Sequence, residues 1–246
     1  ILITGASSGL GLAFLQHYTT LTPAPSIVAL DISPLPPSIA PLPNVSFHAL
    51  DITCTASLTR LCSSPALNNT PITLLIHAAG IRGLVPSVVQ KEKGDVAAAE
   101  TWRATDHPIM MRTLETNTWG TFNVVKTFLP QLQKAATLAA PDAAPKVVVL
   151  SSRMGSLSSN TAGGGYAYRA SKAALNAVVK SFAVDVPEVR FLLLHPGRVE
   201  TGLVGWKEEG AIGVEESVRD CVKVVERLGV EMSGTLVDRW GVQIGW

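Results

Sequence analysis

The chain has 246 residues, of which 47% are apolar and 16% charged, with a formal net charge of +1. The charged share falls below the ~25% usual for soluble domains, which suits a sheet buried on both faces and a further buried surface in a homodimer or homotetramer. The sequence shows no basic stripe, no apolar run near the ~18 residues of a membrane helix and no basic-then-apolar leader, so nucleic acid and membrane are excluded as expected partners.

In chain order, β-type runs at 1–3, 27–30, 45–50, 72–77, 147–150, 191–194 and 235–237 alternate with helical periodicity at 10–18, about 108–132, 167–184 and 215–227. The runs "ITLLI", "KVVVL" and "RFLLL" are continuously apolar rather than alternating. That marks parallel strands covered on both faces. The alternation implies an α/β fold: a doubly wound parallel β-sheet of Rossmann type, about seven strands, with right-handed crossovers. One domain over 1–246 is expected. The chain opens without Met inside a strand, so residues upstream are expected too.

The first strand runs into "TGASSGLG", with Gly5, Gly9 and Gly11. Such a strand, loop and helix can bring backbone N–H groups and a helix N-terminus against a diphosphate, or can be no more than a tight turn. Prolines crowd 22–43 on both sides of the second strand, and the part after it, "SPLPPSIAPLP" at 33–43, reads as a surface loop or broken helix, because the β/α rhythm resumes at once. Asp31 ends the second strand, where a carboxylate can bind ribose hydroxyls or cap a turn. Asp51 ends the third and reads equally as a helix cap. Cys54, Cys62 and Cys221 are odd in number and lack metal spacing; they are expected to be small buried hydrophobes in a reducing cytoplasm. His77, in "HAAG", reads as a satisfied core histidine.

Asn117 falls inside the long helical pattern, where asparagine is a poor fit. Ser151 and Ser152 end the fifth strand, and either can face a substrate. Segment 135–145 reads as a helix end and loop. In "GGGYAYRASKAALN", Tyr168 and Lys172 are four apart and share one helix face. Tyr166 has Ala170 at the matching position and cannot compete. The pairing has a chemical reason. Hydride addition to a ketone needs a proton donor, and a phenol of pKa ~10 is slow at neutral pH. An ammonium ~4 Å away at an effective dielectric of ~20 stabilises phenolate by up to ~4 kcal/mol, about three pKa units. "HPGRVET" follows the sixth strand and begins as a Pro-Gly turn.

Together these motifs resemble the compact, non-extended branch of the short-chain dehydrogenase/reductase family, over essentially the whole chain. "SSRMGS", "PGRVETGL" and the ending "SGTLVDRWGVQIGW" look like its C-factor-like and sniffer-like carbonyl reductases. The resemblance implies a nicotinamide oxidoreductase acting on a small carbonyl or secondary alcohol. It implies Tyr168 as acid/base, Lys172 as pKa-lowering and ribose-binding group, Ser152 as the carbonyl-orienting serine, and Asn117 as support of a proton relay. The Ser152-to-Tyr168 spacing exceeds the family's, and "NTAGGG" accounts for the surplus.

Cofactor contacts are implied for Gly5, Ser7, Ser8, Gly9, Leu10 and Gly11, for Asp31, Asp51 and Ile52, and for Ala78, Ala79 and Gly80. They are implied also for Tyr168, Lys172, Pro196, Gly197, Val199 and Thr201. "HAAG" replaces the family's paired asparagines, which puts the local support of that strand end in question. Segment 202–214 is implied to be a small substrate lid, and Trp240 and Trp246 packing or wall residues. Sniffer-like reductases generally use NADPH and carry a basic residue for its 2′-phosphate. Here Ser8, Ile32 and Ser33 occupy those positions, Asp31 ends the strand and no Lys or Arg lies in 30–43, although Arg60 or Arg82 could reach in through the fold. NAD(H) is therefore expected to be preferred, with NADP(H) the alternative. Two other readings stand beside this one. A dinucleotide-sensing regulatory or interaction protein is favoured by the lost asparagines and the insertion. A nucleotide-sugar epimerase is opposed by the loop spacing and the short C-terminal region.

Overall fold

The computed structural model describes residues 1–91, 95–140, 143–204 and 209–246. Its strands are β1 (Leu2–Thr4), β2 (Ile27–Asp31), β3 (Val45–Ala49), β4 (Leu74–His77), β5 (Lys146–Leu150), β6 (Arg190–His195) and β7 (Thr235–Asp238). All seven join one parallel sheet in the order β3-β2-β1-β4-β5-β6-β7. Each expected strand is present; β4 starts two residues later than its apolar run.

The strands read as unbroken apolar runs because each face of the sheet has its own core. Along β5, Val147 and Val149 enter one core and Val148 and Leu150 the other. Along β6, Phe191 and Leu193 oppose Leu192 and Leu194 in the same way. The period of two fixes which face each side chain serves. One face is covered by α2 (Thr55–Cys62), α6 (Gly120–Leu138) and α7 (Tyr166–Asp185), through Leu58, Phe128, Leu132 and Leu175. The other is covered by α1 (Gly9–Thr19) and α8 (Val214–Glu226), through Phe14, Leu15, Val222 and Val225.

Between β4 and β5 lie α3 (Pro86–Lys91), α4 (Val96–Ala99) and α5 (His107–Leu114). The one long helix expected at 108–132 is α5 and α6 joined by a π-helical turn, Glu115–Trp119, and it runs on to Leu138. The short helices α2, α3 and α4 have no clear sequence signal. Segment 33–43, after β2, is a loop, as expected, yet Leu35 and Ile39 turn back into the core.

Three sequence expectations need correction. Cys221 is buried, but Cys54 is exposed at the start of α2. Trp240 and Trp246 are 59% and 46% exposed, so they are not core packing residues, though Arg239 lies over the Trp240 ring at 4.3 Å. The tail holds through its backbone instead: Trp246 O accepts the Ser158 N–H at 2.9 Å. His77 is buried and its Nδ1 meets Thr4 Oγ1 at 2.9 Å, but Nε2 lacks a hydrogen-bond partner. Among the described residues no helix is long and apolar enough to cross a membrane, and no cluster of His, Cys, Asp and Glu could hold a metal.

Candidate active site

The strand order reverses direction between β1 and β4, which opens a crevice beyond their C-terminal ends. A cavity of about 940 Å³ occupies it. The glycine loop between β1 and α1 forms one wall. A Cβ on Gly11 would lie 2.0 Å from the Gly5 carbonyl oxygen, so the loop closes on itself only with glycine there. Gly5 has φ +67° and presses against Ala78 and Ala79 at the end of β4. The first turn of α1 carries no acidic side chain, and the Ser8 side chain does not cap it. Its N–H groups and positive dipole end are therefore left for an anion.

Asp31 lines the cavity at the end of β2. Its Oδ2 accepts the Ser7 N–H at 2.9 Å and its Oδ1 the Ser33 N–H at 3.0 Å. Each oxygen keeps a further lone pair. Ser7 itself is not among the described residues lining the cavity; its Oγ donates to Ser33 O at 2.5 Å and closes the loop from behind. Asp51 lines the cavity and also makes the local turn, accepting from Thr53 N and Oγ1 at 2.8 Å each. Gly5, Ser8, Gly9, Leu10, Gly11, Ile52, Ala78, Ala79, Gly80, Pro196, Gly197, Val199 and Thr201 all line it.

The end of β4 is tied to β1 through Thr4. Thr4 O accepts the Ala78 N–H at 3.2 Å, Thr4 Oγ1 accepts the Ala79 N–H at 3.3 Å, and the same hydroxyl meets His77. β1 and β4 are thereby joined where the glycine loop touches them. Burial, helped by Lys172, pushes His77 down to about 3, so it stays neutral at physiological pH.

Tyr168 and Lys172 stand in the first two turns of α7, facing the cavity from beside β5. Lys172 Nζ lies 5.7 Å from the Tyr168 ring centroid and donates to Leu150 O at 2.8 Å. Burial pushes the ammonium down to about 8, so it remains mostly charged at neutral pH. The two serines before them differ. Ser151 Oγ donates to Asn176 Oδ1 at 2.6 Å within the interior. Ser152 Oγ accepts the Met154 N–H at 3.1 Å, which leaves its own proton to donate elsewhere.

Asn117 sits in the π turn and is fully buried. It is not among the described residues lining the cavity. Its Oδ1 accepts the Ile81 N–H at 2.8 Å, and its Nδ2 donates to Ile81 O at 2.8 Å and to Ser171 Oγ at 2.9 Å. Its backbone carbonyl accepts from Thr121 Oγ1 at 2.6 Å. Asn117 thus clamps the loop after β4 to α7. A Cβ at Gly80 would lie 3.0 Å from Asn117 Oδ1 and 3.8 Å from Lys172 Nζ, so a side chain there would crowd the Asn117 amide. π turns often mark functional sites.

The insertion before Tyr168 is a run of three left-handed glycines, Gly163, Gly164 and Gly165, with φ +66°, +65° and +60°. Residues with a Cβ rarely adopt that conformation. Arg169 Nε donates to the Gly163 and Gly164 carbonyls at 3.2 and 3.0 Å, and its Nη1 to Met154 O at 3.4 Å. The extra residues are held outside the helix, so Tyr168 keeps its place. Glu100 stands beside the site with no motif to announce it. Arg153 and His195 lie inside "SSRMGS" and "HPGRVET" but carry no role in the sequence reading. Arg82, expected only as a cation able to reach the ribose end, stands over the Tyr168 ring instead. Of the expected lid, residues 205–208 lie outside the described residues. Its flanks are joined by the Val199–Ile212 bridge and by Ile212 N donating to Arg198 O at 2.9 Å.

The comparisons with known proteins agree with this geometry. C-signal of Myxococcus xanthus is 36% identical over 178 residues, 72% of this chain and 93% of that protein. The carbonyl reductase Sniffer of D. melanogaster superposes with a TM-score of 0.84 at 28% identity, covering 100% of this chain and 98% of that one. An NADPH-bound carbonyl reductase from chicken fatty liver gives the same TM-score, identity and coverage. The short chain dehydrogenase family pattern matches residues 1–211, and with that span the chain belongs to the short chain dehydrogenase family of oxidoreductases.

Proposed function

We propose that the protein transfers a hydride between a nicotinamide cofactor and the carbonyl or secondary alcohol carbon of a small organic substrate. One observation carries this reading: a single cavity runs from the glycine loop and Asp31 to Ser152, Tyr168 and Lys172. The residues suit a dinucleotide, since the bare N-terminus of α1 fits a diphosphate and the glycines admit close approach. A bound nicotinamide supplies or accepts the hydride.

The chain's own residues manage the proton and the oxygen. In the reducing direction Ser152 Oγ–H holds the carbonyl oxygen, and Tyr168 gives its phenolic proton to the developing alkoxide. Lys172, still charged near neutrality, stabilises the phenolate left behind. It would also hold the nicotinamide ribose of a bound cofactor. Asn117 acts through position, fixing Gly80–Ile81 and Ser171 around the pair. In oxidation the same groups act in reverse.

The preferred cofactor in this reading is NAD(H). Asp31 stands where the ribose hydroxyls would lie, and neither Ser8 nor Ile32 nor Ser33 offers a cation. Arg82, which chain folding might have brought to that end, is held by Glu100 beside Tyr168 instead. Arg60 is not among the described residues lining the cavity. The chicken relative binds NADPH, so the preference separates this chain from that protein. An exposed apolar groove along Met111, Trp119 and Phe122 supports assembly as a homodimer or homotetramer, which sedimentation measures.

The test is a screen of ketones, aldehydes and secondary alcohols with NADH and NADPH, run on the parent and on Tyr168→Phe. General acid–base catalysis is worth ~10²–10⁴-fold, so turnover should fall at least that far while cofactor affinity holds. Parent-like turnover by Tyr168→Phe would remove Tyr168 from the mechanism. Cofactor binding with no turnover across the screen is the outcome the sensing alternative requires.

A further inference from the structure

Arg82 stands in the loop after β4 and has no part in the chemistry above. Its guanidinium carbon lies 4.7 Å from the Tyr168 ring centroid, nearer than Lys172 Nζ at 5.7 Å. It is held there by a bidentate pair: Nε and Nη2 donate to Glu100 Oε2 and Oε1 at 2.7 and 2.9 Å. The two side chains are only 14% and 10% exposed. Such a fork fixes orientation as well as charge.

Glu100 is anchored in turn to the start of α7. Its carbonyl accepts the Gly165 N–H at 3.0 Å, and its carboxylate carbon would lie 3.6 Å from a Cβ at Gly165. The carboxylate therefore sits by the helix N-terminus, where the dipole favours an anion. The cation of the pair faces the phenol ring.

We infer that Arg82 is a positioning residue for Tyr168: clamped by Glu100, it fixes the ring from the side of the β4 loop and stabilises the phenolate form. This rests on Tyr168 being the acid/base. A cation over an aromatic face is attracted by the electron density of the ring. Ionisation of the hydroxyl spreads negative charge into that ring and strengthens the attraction. Arg82 thereby adds to the field of Lys172 from another element, and it is the guanidinium of the pair that lies over the ring face.

Other charged or titratable groups line the same cavity. They are Lys172 and Arg169 on α7, Arg153 after β5, His195 at the end of β6, Arg198 after it, Arg112 on α5, Glu115 in the π turn, and Asp31 and Asp51 at the ribose end. Burial and Arg153 push His195 down to about 4, well below the range in which a phenol titrates. Lys172, at about 8, does overlap that range. Phenolate absorbance, unlike a rate, reads the tyrosine alone.

The experiment titrates near-ultraviolet phenolate absorbance, each protein being measured against the same protein carrying Tyr168→Phe. The difference belongs to Tyr168, and it needs no turnover. Arg82→Met should raise the midpoint by about one pH unit, a tenfold change in proton affinity. It leaves Glu100 buried and unpaired, which threatens folding. Arg82→Met/Glu100→Gln removes both charges and should still move the midpoint upward, because the charge stacked on the ring face was the cation. Arg82→Lys should recover part of the shift. A parent-like midpoint in the double variant overturns the inference. If the midpoints move as expected while Tyr168→Phe still turns over, the acid/base assignment fails and the Arg82 contact stands.

Discussion

Asp31→Ser isolates the choice of cofactor. In the parent, both carboxylate oxygens face backbone N–H donors of Ser7 and Ser33, so the charge is fixed in place at the cavity wall. A 2′-phosphate arriving there would set like charges a few ångströms apart. At ~5 Å and an effective dielectric of ~20 the repulsion is ~3 kcal/mol, roughly a hundredfold in affinity. The site is partly open to solvent, so salt should shrink this effect over a Debye length of ~8 Å at physiological ionic strength. The parent should therefore favour NADH, more strongly at low salt than at high. Asp31→Ser should bring the ratio of kcat/KM values for NADH and NADPH closer to one, by up to ~100-fold. The assay is initial rate with each cofactor on one carbonyl substrate at two ionic strengths, with cofactor Kd measured separately. An NADPH preference in the parent that Asp31→Ser leaves unchanged would refute the reasoning and make Asp31 a turn residue only.

The two serines should separate stability from turnover. Ser151→Ala loses a buried hydrogen bond to Asn176, costing ~1–3 kcal/mol in a denaturant melt with little change in kcat. Ser152→Ala should cut kcat at least ~10-fold at near-parental stability, and a larger loss of kcat at Ser151 would reverse the assignment. Lys172→Met should abolish turnover yet stabilise the cofactor-free fold near neutral pH. The ammonium is pushed from its usual 10.5 down to about 8 by burial, so the folded state binds that proton more weakly than the unfolded one. The penalty, at most roughly 3 kcal/mol, is full below about 8 and gone above the unfolded value. The Tm gain of Lys172→Met should accordingly shrink as pH rises through that window, and a pH-independent gain would count against a buried charge. Gly11→Ala would place its Cβ 2.0 Å from the Gly5 carbonyl oxygen, so cofactor affinity should collapse and stability fall by ~1–3 kcal/mol. Calorimetry with and without cofactor reads both.

What the sequence determined by itself was whatever depends on near neighbours along the chain. Continuous apolar strands and helical spacing announced a parallel sheet with two cores, because each strand's alternation is local and both faces are apolar. The glycine spacing marked the loop, since Gly5 and Gly11 must meet across one turn. Tyr168 and Lys172 were legible because four residues along a helix return to the same face. Tertiary structure decided what depends on partners far apart in sequence. Ser151 and Ser152 are alike until Asn176 on α7 takes one of them. "HAAG" looked like a weakened strand end until Thr4 supplied a tie from β1. Cys54, Trp240 and Trp246 looked like packing residues, yet burial depends on what lies opposite, and nothing in composition encodes that. Arg82 has no motif at all; the β4 loop, the end of α4 and the start of α7 must first converge before its charge falls over the Tyr168 ring. Periodicity and short motifs record local geometry, whereas the field at an active site is the sum over groups that only the folded chain brings within a few ångströms.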